Sequence, residues 1–173
     1  SKIKYVFQTH FHADFVSGHL TLSKMTGAPI VYGPNAEPDY DCIISYEGDL
    51  FKIGKLKIKV IHTPGHTLES CCYLLYNENN EPHAIFTGDT LFLGDVGIPD
   101  VAQRYQGTSK EELASILYDS INTKIKPLND DLIVYPGHGA GSACGKNMMK
   151  QTVDVLKNQK INNYALNGSF NKE

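Results

Sequence analysis

Four times in this chain an apolar run ends in a short turn that carries a metal-ligating side chain. "IKYVFQT" leads into "THFHAD", with His10, His12 and Asp14. "KLKIKVIHT" leads into "HTPGHT", with His62 and His66. "HAIF" leads into "TGDTLF", with Asp89, and "DLIVYPG" leads into "YPGHGAGSACGK", with His138. The apolar runs are rich in Ile, Val, Phe and Tyr and read as strands. A chain with this pattern must place several strand ends at one edge, where loops on a rigid scaffold present chemistry. Each segment alone has a plain reading: a surface histidine, a turn aspartate. Together, imidazoles and carboxylates converging from strand-end loops suit Zn²⁺ or Fe²⁺. His62 and His83 keep the plain reading, as surface or hydrogen-bonded residues.

At 173 residues the chain is long enough for one domain with a sizeable core. A net charge of −3 supplies no basic field for nucleic acid or anionic lipid. No run approaches the ~20 apolar residues of a membrane span, and none has the pattern of a secretion signal. Cys42, Cys71, Cys72 and Cys144 form no Cys-x-x-Cys pair, and adjacent Cys71 and Cys72 point to opposite faces of a strand. The expectation is a reduced chain and a cytoplasmic location.

The pattern predicts a buried first strand over "IKYVFQT", and a chain that opens there reads as a fragment lacking earlier strands. A helix is expected from Asp14 to about Met25, with Val16, Leu20 and Leu22 toward the core, His19 beyond the site and Gly27 as its stop. Short strands follow at "PIVYG", "CIISY", "DLFKI" and "KLKIKVIHT". "CCYLLYN" and "HAIFTG" flank a polar turn and predict a hairpin. "TSKEELASILYDSI" predicts a helix whose Ser109 and Glu112 form a capping box. "DLIVYPG" is a last strand and "KNMMKQTVDVLKNQK" a third helix.

The order T-H-x-H-x-D, T-P-G-H-T, T-G-D-T-L-F, Y-P-G-H resembles the metallo-β-lactamase superfamily. The resemblance spans Thr9 to Gly145 and implies an α/β (α+β) fold: a four-layer αββα sandwich with metal at one edge, here lacking its N-terminal strands. Within that superfamily, "GDVGIPD" and "YPGHGAGSACGKNM" are similar to the persulfide dioxygenase branch, particularly forms fused to rhodanese domains. That branch implies one non-haem Fe²⁺ per chain and the oxidation of a low-molecular-weight thiol persulfide by O₂ to sulfite and free thiol. Rhodanese domains in cis would be partners, a homo-oligomer stays open, and neither nucleic acid nor membrane is implied.

The resemblance assigns His10, His66 and Asp89 as metal ligands. It places His12, Asp14 and His138 around them as catalytic support. Dinuclear relatives of the glyoxalase II kind use H-x-H-x-D-H. Here the last position is Phe15, which cannot ligate, so a tight second metal is disfavoured. The hydrolase alternative has Zn²⁺ on His10, His12, His66 and Asp89, with bound water cleaving a thioester. An inactive metal-binding module is the non-enzymatic alternative. Ala140 and Ile98 stand where glutathione-using relatives carry Tyr and Arg, which leaves the thiol open between glutathione, coenzyme A and others. Cys144 is a candidate thiol for receiving or relaying sulfane sulfur, against the plainer reading of a small buried hydrophobe. Arg104 and Lys146 are candidate anion contacts, against the plainer reading of ordinary surface charges.

Overall fold

A computed structural model describes residues 2–11, 16–99, 107–170 and 172. His12, Asp14, Phe15 and Arg104 lie outside the described residues.

Two sheets stack between helices. The smaller has order β1-β2-β3, formed by Val6–Phe7, Ile30–Tyr32 and Ile43–Ile44, all parallel. The larger has order β4-β5-β6-β7-β8-β9, formed by Leu50–Ile53, Leu56–His62, Cys71–Tyr76, Pro82–Gly88, Ile133–Pro136 and Asp154–Val155. Its neighbours pair antiparallel except β7 and β8, which are parallel. Parallel neighbours need a long crossover, and helix α2 (Lys110–Ser120), continued by a π-helical turn at Ile121–Ile125, supplies it.

The layers follow from which faces are apolar. Val6, Ile30 and Tyr32 of the smaller sheet pack with Ala28, Ala36 and the half-buried Phe11 and Tyr40. Between the sheets, Phe7 packs against Ile58, Val60, Cys71 and Tyr73. On the far face of the larger sheet, Ile61, Cys72, Leu74 and Ile85 meet Leu117 and Ile121 of the crossover and Leu156 of α3 (Leu156–Asn162). Cys71 and Cys72 therefore serve opposite faces of β6, as strand alternation requires. This is the metallo-β-lactamase fold. Among the described residues no helix is long and apolar enough to cross a membrane.

Several local expectations match the structure. β6 and β7 form the hairpin. Ser109 Oγ accepts the Glu112 N–H at 3.1 Å while Glu112 Oε2 accepts the Ser109 N–H at 2.8 Å, closing the capping box of α2. Gly27 ends helix α1 (His19–Thr26) in the left-handed region at φ 70°.

Three expectations need correction. Only Val6 and Phe7 of "IKYVFQT" join a ladder, and Ile3 is exposed. Helix α1 runs from His19, after Gly18, and buries no residue, while the expected start at Asp14 lies outside the described residues. Val16, Leu20 and Leu22 are exposed rather than toward the core. Val16 precedes the helix, and Leu20 and Leu22, two apart, point to nearly opposite sides of it, so no apolar stripe forms. Finally, "KNMMKQTVDVLKNQK" is helical only from Leu156. The main-chain N–H groups of Lys146 and Asn147 are donated to Asp95, and that of Met149 to Leu93 O at 2.8 Å. Those donors are taken by tertiary acceptors, so no helical ladder forms there.

Candidate metal centre

β5 and β7 are two antiparallel steps apart and β8 is parallel to β7, so β5, β7 and β8 run the same way. Their C-terminal loops, carrying His66, Asp89 and His138, leave one edge of the larger sheet. His10 follows β1 of the smaller sheet and meets them there.

Asp89 is the hub. Its Oδ2 lies 3.4 Å from His66 Nε2, 3.5 Å from His138 Nε2 and 3.8 Å from His10 Nε2. The carboxylate is almost wholly buried, as are His10 and His66, whereas His138 is partly open. The His10 and His66 rings stand edge to face, with centroids 5.0 Å apart. Ligating atoms of His10, His66 and Asp89 all lie within 4.8 Å of one another.

Hydrogen bonds fix how the imidazoles face. His66 Nδ1 is 2.7 Å from the carbonyl oxygen of Ile98, which can only accept. Nδ1 therefore carries the proton and Nε2 turns its lone pair toward Asp89. His10 Nδ1 is hydrogen-bonded to Thr9 Oγ1 at 2.9 Å, which likewise leaves Nε2 on the Asp89 side. The neighbouring turns are tied together: Thr63 Oγ1 and Thr90 Oγ1 are 2.7 Å apart, and Glu69 Oε1 accepts the Phe11 N–H at 3.0 Å.

Two close approaches require glycine. A Cβ on Gly97 would lie 2.0 Å from the Asp89 carbonyl oxygen and 3.1 Å from His66 Nδ1. A Cβ on Gly137 would lie 2.6 Å from Asp89 Oδ1. Both backbones wall the carboxylate at a distance that a side chain would abolish.

These residues fit a divalent cation. Metal–nitrogen and metal–oxygen bonds of 2.0–2.1 Å set donors about 3.3 Å apart in a tetrahedral site. The His66 and His10 spacings to Asp89 Oδ2, 3.4 and 3.8 Å, are close to that. Two imidazoles and one carboxylate also form the three-ligand face of non-haem iron sites. Bound waters or substrate would complete either geometry.

Of the residues assigned around these ligands, His138 reaches Asp89, while His12, Asp14 and Arg104 lie outside the described residues. Cys144 is buried, with its Sγ within 4.8 Å of ligating atoms of Asp89 and His138. Lys146 is exposed, and its main-chain N–H is donated to Asp95 Oδ2 at 2.7 Å. His62 Nε2 donates to Leu68 O at 2.9 Å, the hydrogen-bonded role expected of it.

Asp95 is the residue that sequence reasoning passed over. It is 3% exposed and clamps two loops. Oδ2 accepts N–H groups of Lys146 and Asn147 at 2.7 and 2.6 Å. Oδ1 accepts from Val96 N–H and Tyr164 O–H, each at 2.8 Å. Burial alone would raise its pKa, but these four donors hold it below the usual carboxylate range. The signal in the sequence is its place inside "GDVGIPD".

The sequence is 32% identical over 139 residues to the hydroxyacylglutathione hydrolase of Dictyostelium discoideum, covering 79% of this chain and 48% of that protein. The chain thus spans about half the length of the curated relatives it matches. The fold superposes on a metallo-beta-lactamase structure from Staphylococcus aureus with TM-score 0.83 and 32% identity, over 99% of this chain and 51% of that one. It also superposes on ETHE1 from Myxococcus xanthus with TM-score 0.73 and 31% identity, over 94% of this chain and 62% of that one. The sequence pattern described as "Metallo-beta-lactamase superfamily" matches residues 1–138, and the chain belongs to that superfamily.

Proposed function

We propose that this chain is the metal-bearing domain of a mononuclear non-haem iron dioxygenase that oxidises a low-molecular-weight thiol persulfide. The net reaction takes persulfide, O₂ and water to sulfite, free thiol and protons. The observation that carries the reading is the grouping of His10, His66 and Asp89, two imidazoles and one carboxylate at one sheet edge. Bound there, iron(II) supplies the redox chemistry that activates O₂.

The protein residues hold and aim. Ile98 O and Thr9 Oγ1 orient the ligand imidazoles from behind. His138 is the more open of the three imidazoles around Asp89 and lies where it can hold a water or the substrate's proton. The two segments that resemble the persulfide dioxygenase branch form one unit against this edge. Asp95 of the first accepts from Lys146 and Asn147 of the second, and Ile98 N–H donates to Cys144 O at 3.1 Å. On this reading Cys144 and Lys146 are the substrate contacts, and the loop that carries them is tied to Asp95 and Ile98.

A zinc-dependent thioester hydrolase is the second reading. It is favoured by the named activity of the Dictyostelium relative, a hydroxyacylglutathione hydrolase. Rhodanese domains in cis remain part of the proposal for the whole protein. Metal analysis combined with O₂ uptake on a thiol persulfide separates the two readings. Iron with O₂ consumption is expected, and zinc with thioester cleavage supports the second.

A further inference from the structure

His10 and His66 leave strands of different sheets, yet their imidazoles must be held at one span to share a metal. The start of β6 joins the two. Cys71 and Tyr73 face the smaller sheet, and Glu69 precedes them in the same two-residue alternation. Tyr73 O–H donates to Gln8 O at 2.7 Å, Cys71 N–H donates to Thr9 O at 2.9 Å, and Glu69 Oε1 accepts the Phe11 N–H at 3.0 Å. His10 lies between the last two bonds, with its backbone fastened on either side. Glu69 is 2% exposed, a depth at which a carboxyl group is kept only with a hydrogen-bonding partner.

The turn that carries Glu69 also carries His66, and it is braced from within. Thr67 Oγ1 and Ser70 Oγ are 2.7 Å apart. Thr63 N–H donates to Ser70 O at 2.9 Å, and Gly65 N–H donates to Thr67 O at 3.0 Å. The Glu69 carbonyl abuts Gly33, where an added Cβ would lie 2.7 Å from it. A stiff turn therefore connects His66 to Glu69, and the Glu69–Phe11 bond carries that connection across to the loop of His10.

We propose that Glu69 is a positioning residue for the metal centre: its side-chain oxygen fixes the span between the His10 and His66 imidazoles by holding the Phe11 N–H from the His66 turn. The position requires an acceptor of this reach, and an amide oxygen meets that requirement as a carboxyl oxygen does. Loss of the acceptor leaves the Phe11 N–H without this bond and lets the His10 loop shift. Metal ligands work only when held within about 0.5 Å of their productive places. The inference rests on the reading of His10, His66 and Asp89 as ligands, and not on which metal or substrate they serve.

The test uses the full-length protein, stripped of metal and titrated with Co²⁺. Two signals are read: the d–d absorption of bound cobalt, which reports donor geometry, and the Kd from competition with a chromophoric chelator. Glu69→Met and Glu69→Ala both remove the acceptor, the first with the buried volume kept. Each should weaken Co²⁺ binding about 10–100-fold and shift the band. Glu69→Gln keeps the acceptor and should stay within about threefold of the parent, with the parent band. Ser109→Ala, which removes the cap of α2, is the stability control: it should lower Tm and leave the band unchanged. An unchanged band and Kd in Glu69→Met and Glu69→Ala overturns the proposal. A loss in Glu69→Gln of tenfold or more also overturns it, and that arm decides even if neither acceptor-free variant folds. Asp89→Ala is run on the same day and should abolish the band. A band that survives Asp89→Ala sinks the ligand reading and this inference with it, whereas an Asp89-dependent band indifferent to Glu69 sinks this inference alone.

Discussion

The Nδ1–H of His66 is donated to the carbonyl oxygen of Ile98, 2.7 Å away, and this bond aims Nε2 at Asp89. Ile98 follows Gly97, whose own N–H is donated to the Asp89 carbonyl at 3.0 Å. One short strand of backbone thus sets the directions of two of the three proposed ligands.

Gly97→Ala should therefore disturb both ligands at once. Its Cβ has no room beside the Asp89 carbonyl, and that obstacle is backbone, which cannot swing aside. Metal affinity, measured by competition with a chromophoric chelator, should fall about 10–100-fold, as for loss of groups that orient ligands. Gly139→Ala is the control: no atom lies within 4 Å of its added Cβ, and affinity should stay within about twofold.

Asp95→Asn should loosen the clamp on the Cys144 loop. An amide nitrogen would face N–H donors, and the cost should be about 2 kcal/mol by denaturant titration. The pH dependence has a defined sign. The folded pKa of Asp95 is lowered, so its contribution is complete above the unfolded value of about 4 and is lost as pH falls toward the folded value. The stability gap between the parent protein and Asp95→Asn should be flat from pH 8 to about 5 and shrink only in more acid solution.

Cys71 and Cys72 should resist alkylation in the native protein. Burial pushes the Cys71 thiol up to about 12 and the Cys72 thiol up to about 11, so at pH 8 both stay protonated and shielded. Peptide mapping after iodoacetamide should find neither modified until denaturant is added. Modification of either in the native state would contradict the packing of β6.

What could be read from sequence was local or chemical. The β6–β7 hairpin and the capping box of Ser109 depend on neighbours a few residues away, so their signals were complete. The ligand-bearing turns were visible because four of them follow strands in one chain, although each His or Asp alone is an ordinary turn residue. The extent of the third helix was not visible, because donation from Lys146 and Asn147 to Asp95 links positions about fifty residues apart. Leu20 and Leu22 of helix α1 count as apolar in any sequence window but share no face, so the helix buries no residue. The grouping of Cys144 with His138 and Asp89 required the folded loop, although six residues separate Cys144 from His138 in the chain.

The most direct test of the central claim is the metal-dependent reaction of the full-length protein. It should be purified without oxygen, assayed for metal, and supplied with a thiol persulfide in an oxygen electrode, with sulfite measured in parallel. The account predicts about one iron per chain and one O₂ consumed per sulfite formed, with both signals lost in Asp89→Ala. Bound zinc, cleavage of a thioester and no O₂ uptake with persulfide would contradict it.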